Sequence, residues 1–297
     1  MRLAVTGKNG QVVSALQALA SAELEIVALG RPELDLAQPE TILKALQEVK
    51  PDAVVSAAAY TAVDKAESEP DIAFAVNRDG ARAVAQAASD IGIPVIHLST
   101  DYVFDGAKAT AYVESDPTGP TSIYGRSKLE GERAVSEATG NYAVLRTAWV
   151  YSEYGNNFVK TMLRLSENRD EINVVADQFG CPTSANDIAT AIVAIARKLV
   201  DDSSPRLRGV FHLSGTGETN WANFAKQIFA FSEENGGKSM IVNDITTAQY
   251  PTPARRPANS RLDCSKLEAV YGIRLPNWQT STRAVVTALA QSKKETP

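Results

Sequence analysis

Cysteine and histidine are scarce, with two of each in 297 residues. Cys181 and Cys264 stand far apart, neither in a C-x-x-C pair nor grouped with His97 or His212, which excludes a disulfide framework and argues against a structural zinc. No resident metal is expected. Excess positive charge is also lacking: 30 Lys and Arg against 35 Asp and Glu leave a net charge of −5, so no electrostatic feature calls for nucleic acid or an anionic membrane. The longest apolar run, near 53–63, is too short to span a bilayer. Met1 to Gly7 lacks the long apolar segment of a signal peptide, so a cytoplasmic protein without membrane or nucleic-acid partners is expected. Internal repeats and low-complexity tracts are missing too.

What is present is a core: 44% of residues are apolar, enough for one large or two modest domains. Short apolar strands alternate with helical periodicity, which predicts an α/β fold with a doubly wound parallel sheet. The expected strands are Leu3 to Val5, Glu25 to Leu29, Asp52 to Ser56, Ile93 to Leu98 and Tyr142 to Arg146. Between them come helices carrying Leu16, Leu19 and Ala20, then Glu40 to Val49, Asp71 to Ala88, and one entered at Pro120-Thr121-Ser122 that runs through Gly131 and Ala138. Beyond Tyr151 the pattern changes. Amphipathic Asn157 to Glu167 precedes a strand at Ile172 to Ala176, a turn-rich loop at Asp177 to Thr183, a helix at Asp187 to Leu199 and a strand at Gly209 to Leu213. Helices at Trp221 to Phe231, Cys264 to Tyr271 and Thr280 to Ala290 follow, with an extended proline loop at Tyr250 to Pro257 and a frayed tail at 293–297. A dinucleotide-binding domain over 1–150 and a mainly substrate-binding domain over 151–297 are expected, with segments near 177–213 returning to the first sheet.

The chemistry concentrates in a few places. Gly7-Lys8-Asn9-Gly10-Gln11 joins the first strand to the first helix, where Gly7 and Gly10 allow a tight turn and close approach of a pyrophosphate to the helix N-terminus. A glycine turn of this length also occurs without a ligand, and no G-K-[ST] closes it into a P-loop. After the second strand, Arg31 is placed to pair with a ribose 2′-phosphate, pointing to NADPH, while Glu33 and Asp35 keep NADH open. Ala57-Ala58-Ala59 ends the third strand with small side chains that let a cofactor lie close, or simply pack tightly. His97 falls inside a strand pattern and is expected to be a packed histidine. Tyr124 and Lys128, four residues apart on a helix, share one face, where the ammonium is expected to lower the phenol pKa and make it a proton donor.

With the glycine turn, Ser99-Thr100, Tyr124 and Lys128 in that order, the chain resembles the extended short-chain dehydrogenases/reductases. Five further motifs narrow the resemblance: Ser99 to Gly106, Arg146 to Tyr151, Gly155 to Phe158, Asp177 to Gly180 and Arg256 to Leu262 are similar to those of the dTDP-4-dehydrorhamnose reductase family, over essentially the whole chain. The resemblance implies NADPH- or NADH-dependent reduction of a thymidine-diphosphate 4-keto-6-deoxysugar to dTDP-L-rhamnose. It implies Tyr124 as proton donor to the oxygen at sugar carbon 4, Lys128 as the residue binding the nicotinamide ribose, and Thr100 hydrogen-bonded to the keto oxygen or the phenol. Gly7, Gly10, Gln11, Val12, Arg31, Asp35, Leu36, Ala58, Ala59, Tyr60, Ser99, Tyr124 and Lys128 are expected around the cofactor. Thr100, Asp101, Tyr102, Trp149 and Arg256 are expected around the substrate, with Arg256 near the diphosphate. Val13 replaces the family's usual third glycine, and Asn186 stands where some members place a metal-linked carboxylate at a subunit interface, so either a monomer or a homodimer is expected. Two alternatives remain: a reductase of another nucleotide-linked 4-ketosugar, and a non-catalytic protein like the regulatory subunit of methionine adenosyltransferase.

Overall fold

The computed structural model describes residues 1–295. Six strands form one parallel sheet: β1 Arg2–Thr6, β2 Glu25–Leu29, β3 Ala53–Ser56, β4 Val95–Thr100, β5 Tyr142–Thr147 and β6 Gly209–His212, in the spatial order β6-β5-β4-β3-β1-β2. Alternation along each strand feeds two cores. Leu3, Val5, Ala53, Val55 and Ile96 pack on one face against helices α1 Gln11–Ala18 and, from much later in the chain, Ala185–Asp201. Ala4, Val54, Val95 and Val144 pack on the other against α2 Glu40–Val49 and α3 Ala81–Asp90. This is the doubly wound architecture expected, and burial on both faces explains why the strands read as short continuous apolar runs.

The strand order reverses between β1 and β3, and ligands of open parallel sheets bind in the crevice outside that switch point. Several boundaries depart from the sequence expectation. The strand expected at Ile93 to Leu98 runs Val95–Thr100, so Ser99 and Thr100 are its last residues. The first helix ends at Ala18 and leaves Leu19 exposed. The helix expected over Asp71 to Ala88 contains a π-helical segment, Ala75–Gly80, between the α-helical Pro70–Phe74 and Ala81–Asp90.

A separate core gathers the helices Phe158–Ser166, Trp221–Glu234 and Trp278–Glu295 around Phe224, Ile228 and Trp278, beside a two-stranded parallel sheet of Glu171–Val175 and Ile241–Ile245. The strand Ile241–Ile245 has no clear apolar signal because it lies half-exposed, Ile241 at 62%. Gly209–His212 pairs with β5, so a segment from beyond residue 200 sits in the central sheet. The last helix stays helical to Glu295 where a frayed tail was expected from 293, and residues 296–297 lie outside the described residues. Among the described residues no helix is long and apolar enough to cross a membrane.

Candidate active site

The crevice at the switch point is built from two short, pinned segments. Gly7, at φ +100°, turns the chain out of β1, and Gly10 precedes α1 with no side chain capping the helix, leaving the N–H groups of its first turn open at an exposed turn. Across from it, the Thr6 hydroxyl accepts hydrogen bonds from the Ala57 and Ala58 N–H groups, both at 3.0 Å. A Cβ on Gly7 would stand 3.5 Å from that of Ala58. From below, Asn77 on the π segment holds Tyr60 through both its N–H, 2.8 Å, and its carbonyl, 3.1 Å. Such π segments recur at functional sites. Val12 and Val13 point into the core. Gln11 instead ties the glycine turn to the second half of the chain, its side-chain carbonyl oxygen accepting from Ser152 Oγ at 2.8 Å and Asn157 Nδ2 at 3.0 Å.

Beyond β2 the charges sort themselves. Lys8 donates to Glu33 at 2.6 Å and to the Arg31 carbonyl at 3.1 Å, while the Asp35 carboxylate accepts the Ala37 N–H at 3.0 Å. Arg31 is exposed and makes no ion pair among the described residues. Leu36 is buried, its carbonyl facing Gly80 at the end of the π segment. A small-residue cradle at a helix N-terminus with two cations at its rim fits a phosphorylated dinucleotide. Lys8 is the rim residue that sequence analysis did not select.

Helix α4, Ile123–Ala138, carries the dyad and starts at Ser122, whose Oγ accepts the Gly125 N–H at 3.1 Å. Two glycines let this helix sit unusually close to its neighbours. A Cβ on Gly125 would lie 2.2 Å from the Tyr102 carbonyl oxygen, and one on Gly131 2.2 Å from that of Asn77. Lys128 is 2% exposed; its Nζ donates to the Leu98 carbonyl at 2.6 Å and faces His97 Nε2 at 3.3 Å. Burial brings its pKa down to about 8, with nearby Glu132 opposing the fall. His97 is packed, as expected, yet it is also a neighbour of the lysine.

Tyr124 corrects an expectation. Burial pushes the phenol well above its ordinary pKa; hydrogen bonding to Thr100 offsets this in part, and Asp101 and Tyr102 add to it. The hydrogen bonds of Lys128 go to the Leu98 carbonyl and His97 on β4, and burial outweighs any lowering of the phenol. Thr100 Oγ1 donates to Asp101 Oδ1 at 2.8 Å, and burial raises the Asp101 carboxyl to about 6 against the opposing hydroxyls of Ser260 and Thr100. The Tyr102 ring meets Tyr124 edge-on at 5.6 Å, and its hydroxyl, raised by burial to about 12, accepts from Arg256 Nη1 at 3.2 Å. Arg256 also pairs with Asp64 at 2.9 Å, so the proline loop is fastened over the tyrosines.

Thus Ser99, Thr100, Asp101, Tyr102, Tyr124, Lys128 and Arg256 form one connected group. Trp149 stands at its margin: it adopts φ +49°, stacks on Trp221 with ring centroids 3.5 Å apart, and packs against both a small cluster that includes Val103 and Phe104 and the separate core around Phe224. Asp64, Asn77 and Trp221 carried no sequence signal, being joined to the site only in space. Asn186 Nδ2 is held by the Glu153 carboxylate at 3.1 Å, and among the described residues no group of three His, Cys, Asp or Glu is placed to hold a metal.

A parallel sheet with a glycine-turn crevice, and a Tyr-x-x-x-Lys helix beside the end of β4, define an extended short-chain dehydrogenase/reductase. The family model described as the RmlD substrate binding domain matches residues 1–291. The dTDP-4-dehydrorhamnose reductase of Sinorhizobium fredii is 62% identical over 295 residues, covering 99% of this chain and 100% of the relative; that of Burkholderia thailandensis is 44% identical over 285 residues, covering 94% and 96%. Among solved structures, the dTDP-4-dehydrorhamnose reductase of Clostridium acetobutylicum superposes with a TM-score of 0.90 at 36% identity, over 97% of this chain and 99% of the other. That of Bacillus anthracis, in complex with NADP, gives 0.88 at 37%, over 96% and 98%. The chain belongs to the dTDP-4-dehydrorhamnose reductase family.

Proposed function

We propose that this protein reduces dTDP-4-dehydrorhamnose to dTDP-L-rhamnose with NADPH. The observation that carries the proposal is the 62% identity over 295 residues to a reductase of that name, supported by the presence of Thr100, Tyr124 and Lys128 in this chain. Gly7, Gly10, Ala58, Ala59 and Tyr60 would hold the dinucleotide, with Arg31 and Lys8 at its 2′-phosphate; when bound, the reduced nicotinamide supplies the hydride. The chain's own part is the proton. As negative charge develops on the oxygen at sugar carbon 4, Tyr124 gives it the phenolic proton, a donor held protonated by burial until an oxyanion forms beside it. Thr100 lies between that phenol and Asp101 and orients the hydroxyl, while Lys128, with two of its three N–H groups directed to β4, keeps the third for the cofactor ribose. Arg256, already steered by Asp64 and Tyr102, would meet the diphosphate, and Trp149 the sugar. The region beyond residue 150 serves mainly as the substrate-binding domain, contributing Arg256 to a substrate side otherwise drawn from Thr100, Asp101, Tyr102 and Trp149, and the protein acts in the cytoplasm as a monomer or homodimer.

The test is oxidation of NADPH on adding dTDP-4-dehydrorhamnose, with dTDP-rhamnose identified as product. Wild type turns over; Tyr124→Phe loses at least about 100-fold in turnover, the low end of general acid catalysis, and keeps its affinity for NADPH. Wild-type turnover in Tyr124→Phe removes the proton donor from this scheme, and consumption only of a different ketosugar moves the substrate.

A further inference from the structure

One buried charged group near the dyad takes no part in the proton transfer from Tyr124. Glu132 lies one helical turn beyond Lys128 on α4, 5% exposed at its side chain. Its Oε1 accepts from Ser99 Oγ at 2.5 Å and from Arg146 Nε at 2.9 Å, and its Oε2 accepts from Arg146 Nη2 at 2.7 Å. Ser99 and Arg146 are register partners on β4 and β5. One carboxylate therefore grips both strand ends from the helix that carries Tyr124 and Lys128.

We propose that Glu132 is a positioning residue of the reduction, clamping the dyad helix to the end of β4 beside Thr100 and supplying the negative charge that keeps buried Lys128 an ammonium. The clamp fixes distance: Ser99 adjoins Thr100, so one bond sets the helix against the strand that presents the Thr100 hydroxyl. The charge addresses a second problem. Burial disfavours the Lys128 ammonium, neutral His97 on β4 offers only a lone pair, Tyr124 on the same helix is a neutral phenol, and Arg146 on β5 is positive. Glu132 is the one neighbour among these whose charge favours the ammonium.

The inference rests on the proposed reduction, and its first readout needs no substrate: NMR titration of Lys128 in the free protein with 13C-labelled lysine. Glu132→Gln leaves Arg146 buried without a counter-charge and is expected to fold poorly, whereas Glu132→Leu with Arg146→Leu replaces the pair by apolar side chains, a change buried pairs often tolerate. Because the double variant also removes the positive charge of Arg146, it is compared with Arg146→Leu alone, relative to which Lys128 is expected to titrate lower by on the order of one pH unit, the low end of what one opposite charge contributes. The alkaline limb of the kcat profile should move down with it, and Glu132→Asp should restore most of the titration shift. The same Lys128 titration in the double variant as in Arg146→Leu, or in folded Glu132→Gln as in wild type, overturns the proposal. Absence of turnover in wild type would instead sink the reductase scheme and leave this titration standing.

Discussion

Replacing Gly125 by Ala separates folding from geometry at the dyad. The added methyl would meet the Tyr102 carbonyl oxygen at 2.2 Å, its carbonyl carbon at 3.1 Å and Pro120 Cβ at 3.0 Å, whereas ordinary contact begins near 3.4 Å. Neither a backbone carbonyl nor a proline ring can rotate away, so α4 must withdraw by roughly 1 Å. Two terms oppose each other in stability. Alanine gains about 1 kcal/mol over glycine in a helix, and overpacking costs about 1–3 kcal/mol, so the net loss is at most about 2 kcal/mol and the protein stays folded. The effect on chemistry is larger, because Tyr124 precedes the altered residue and moves with it relative to Thr100. A displacement of about 1 Å in a reacting group costs about 100-fold in rate. Thermal unfolding and steady-state turnover, measured together, are expected to show a shift of a few degrees with a loss of about 100-fold in kcat. Gly140→Ala, with nothing within 4 Å of the new Cβ, is the control. Turnover within about threefold of wild type in folded Gly125→Ala would refute the claim that this close approach sets the position of the phenol.

Arg31→Ala removes a cation at the crevice rim that has no ion pair among the described residues, so NADPH affinity should fall by about 10- to 100-fold, the equivalent of one charge-assisted hydrogen bond, while NADH affinity stays within about twofold. Equal losses for both cofactors would contradict a contact with the 2′-phosphate. Asp101 gives a pH signature. Its carboxyl is raised from 3.8 to about 6 by burial, so the folded chain keeps this proton longer than the unfolded chain, and the associated stability is full below about pH 4 and lost as pH rises through about 6. The rise from 3.8 to about 6 corresponds to about 3 kcal/mol. Denaturant unfolding should therefore show Asp101→Asn gaining about 3 kcal/mol relative to wild type between pH 3.5 and pH 7; a difference that does not vary with pH would show that the carboxyl is not held in this way.

The local part of this site was legible because its signals are local. Four-residue spacing sets Tyr124 and Lys128 on one face of a helix whatever surrounds it, Ser122 marks where that helix begins, and Gly7 permits a positive-φ turn that bulkier residues resist. Apolar runs at Leu3 to Val5 and Ala53 to Ser56 likewise announce buried strands. The same logic failed where the outcome depends on distant contacts. The π segment around Asn77 arises in a stretch that reads as plain helix, and the exposed strand at Ile241–Ile245 is held by pairing with residues about seventy positions earlier.

The chain's own sequence thus determined the alternation of strands and helices, the glycine turn and the shared face of the dyad, since each depends on covalent neighbours and helical or strand period. Only the tertiary structure decided the electrostatics: Lys128 is turned to Leu98 and His97 on β4, Glu132 ties the same helix to β4 through Ser99 and to β5 through Arg146, and burial raises the phenol that the lysine was expected to lower. Desolvation depends on everything packed around a group, most of it remote in sequence, and no local pattern encodes it.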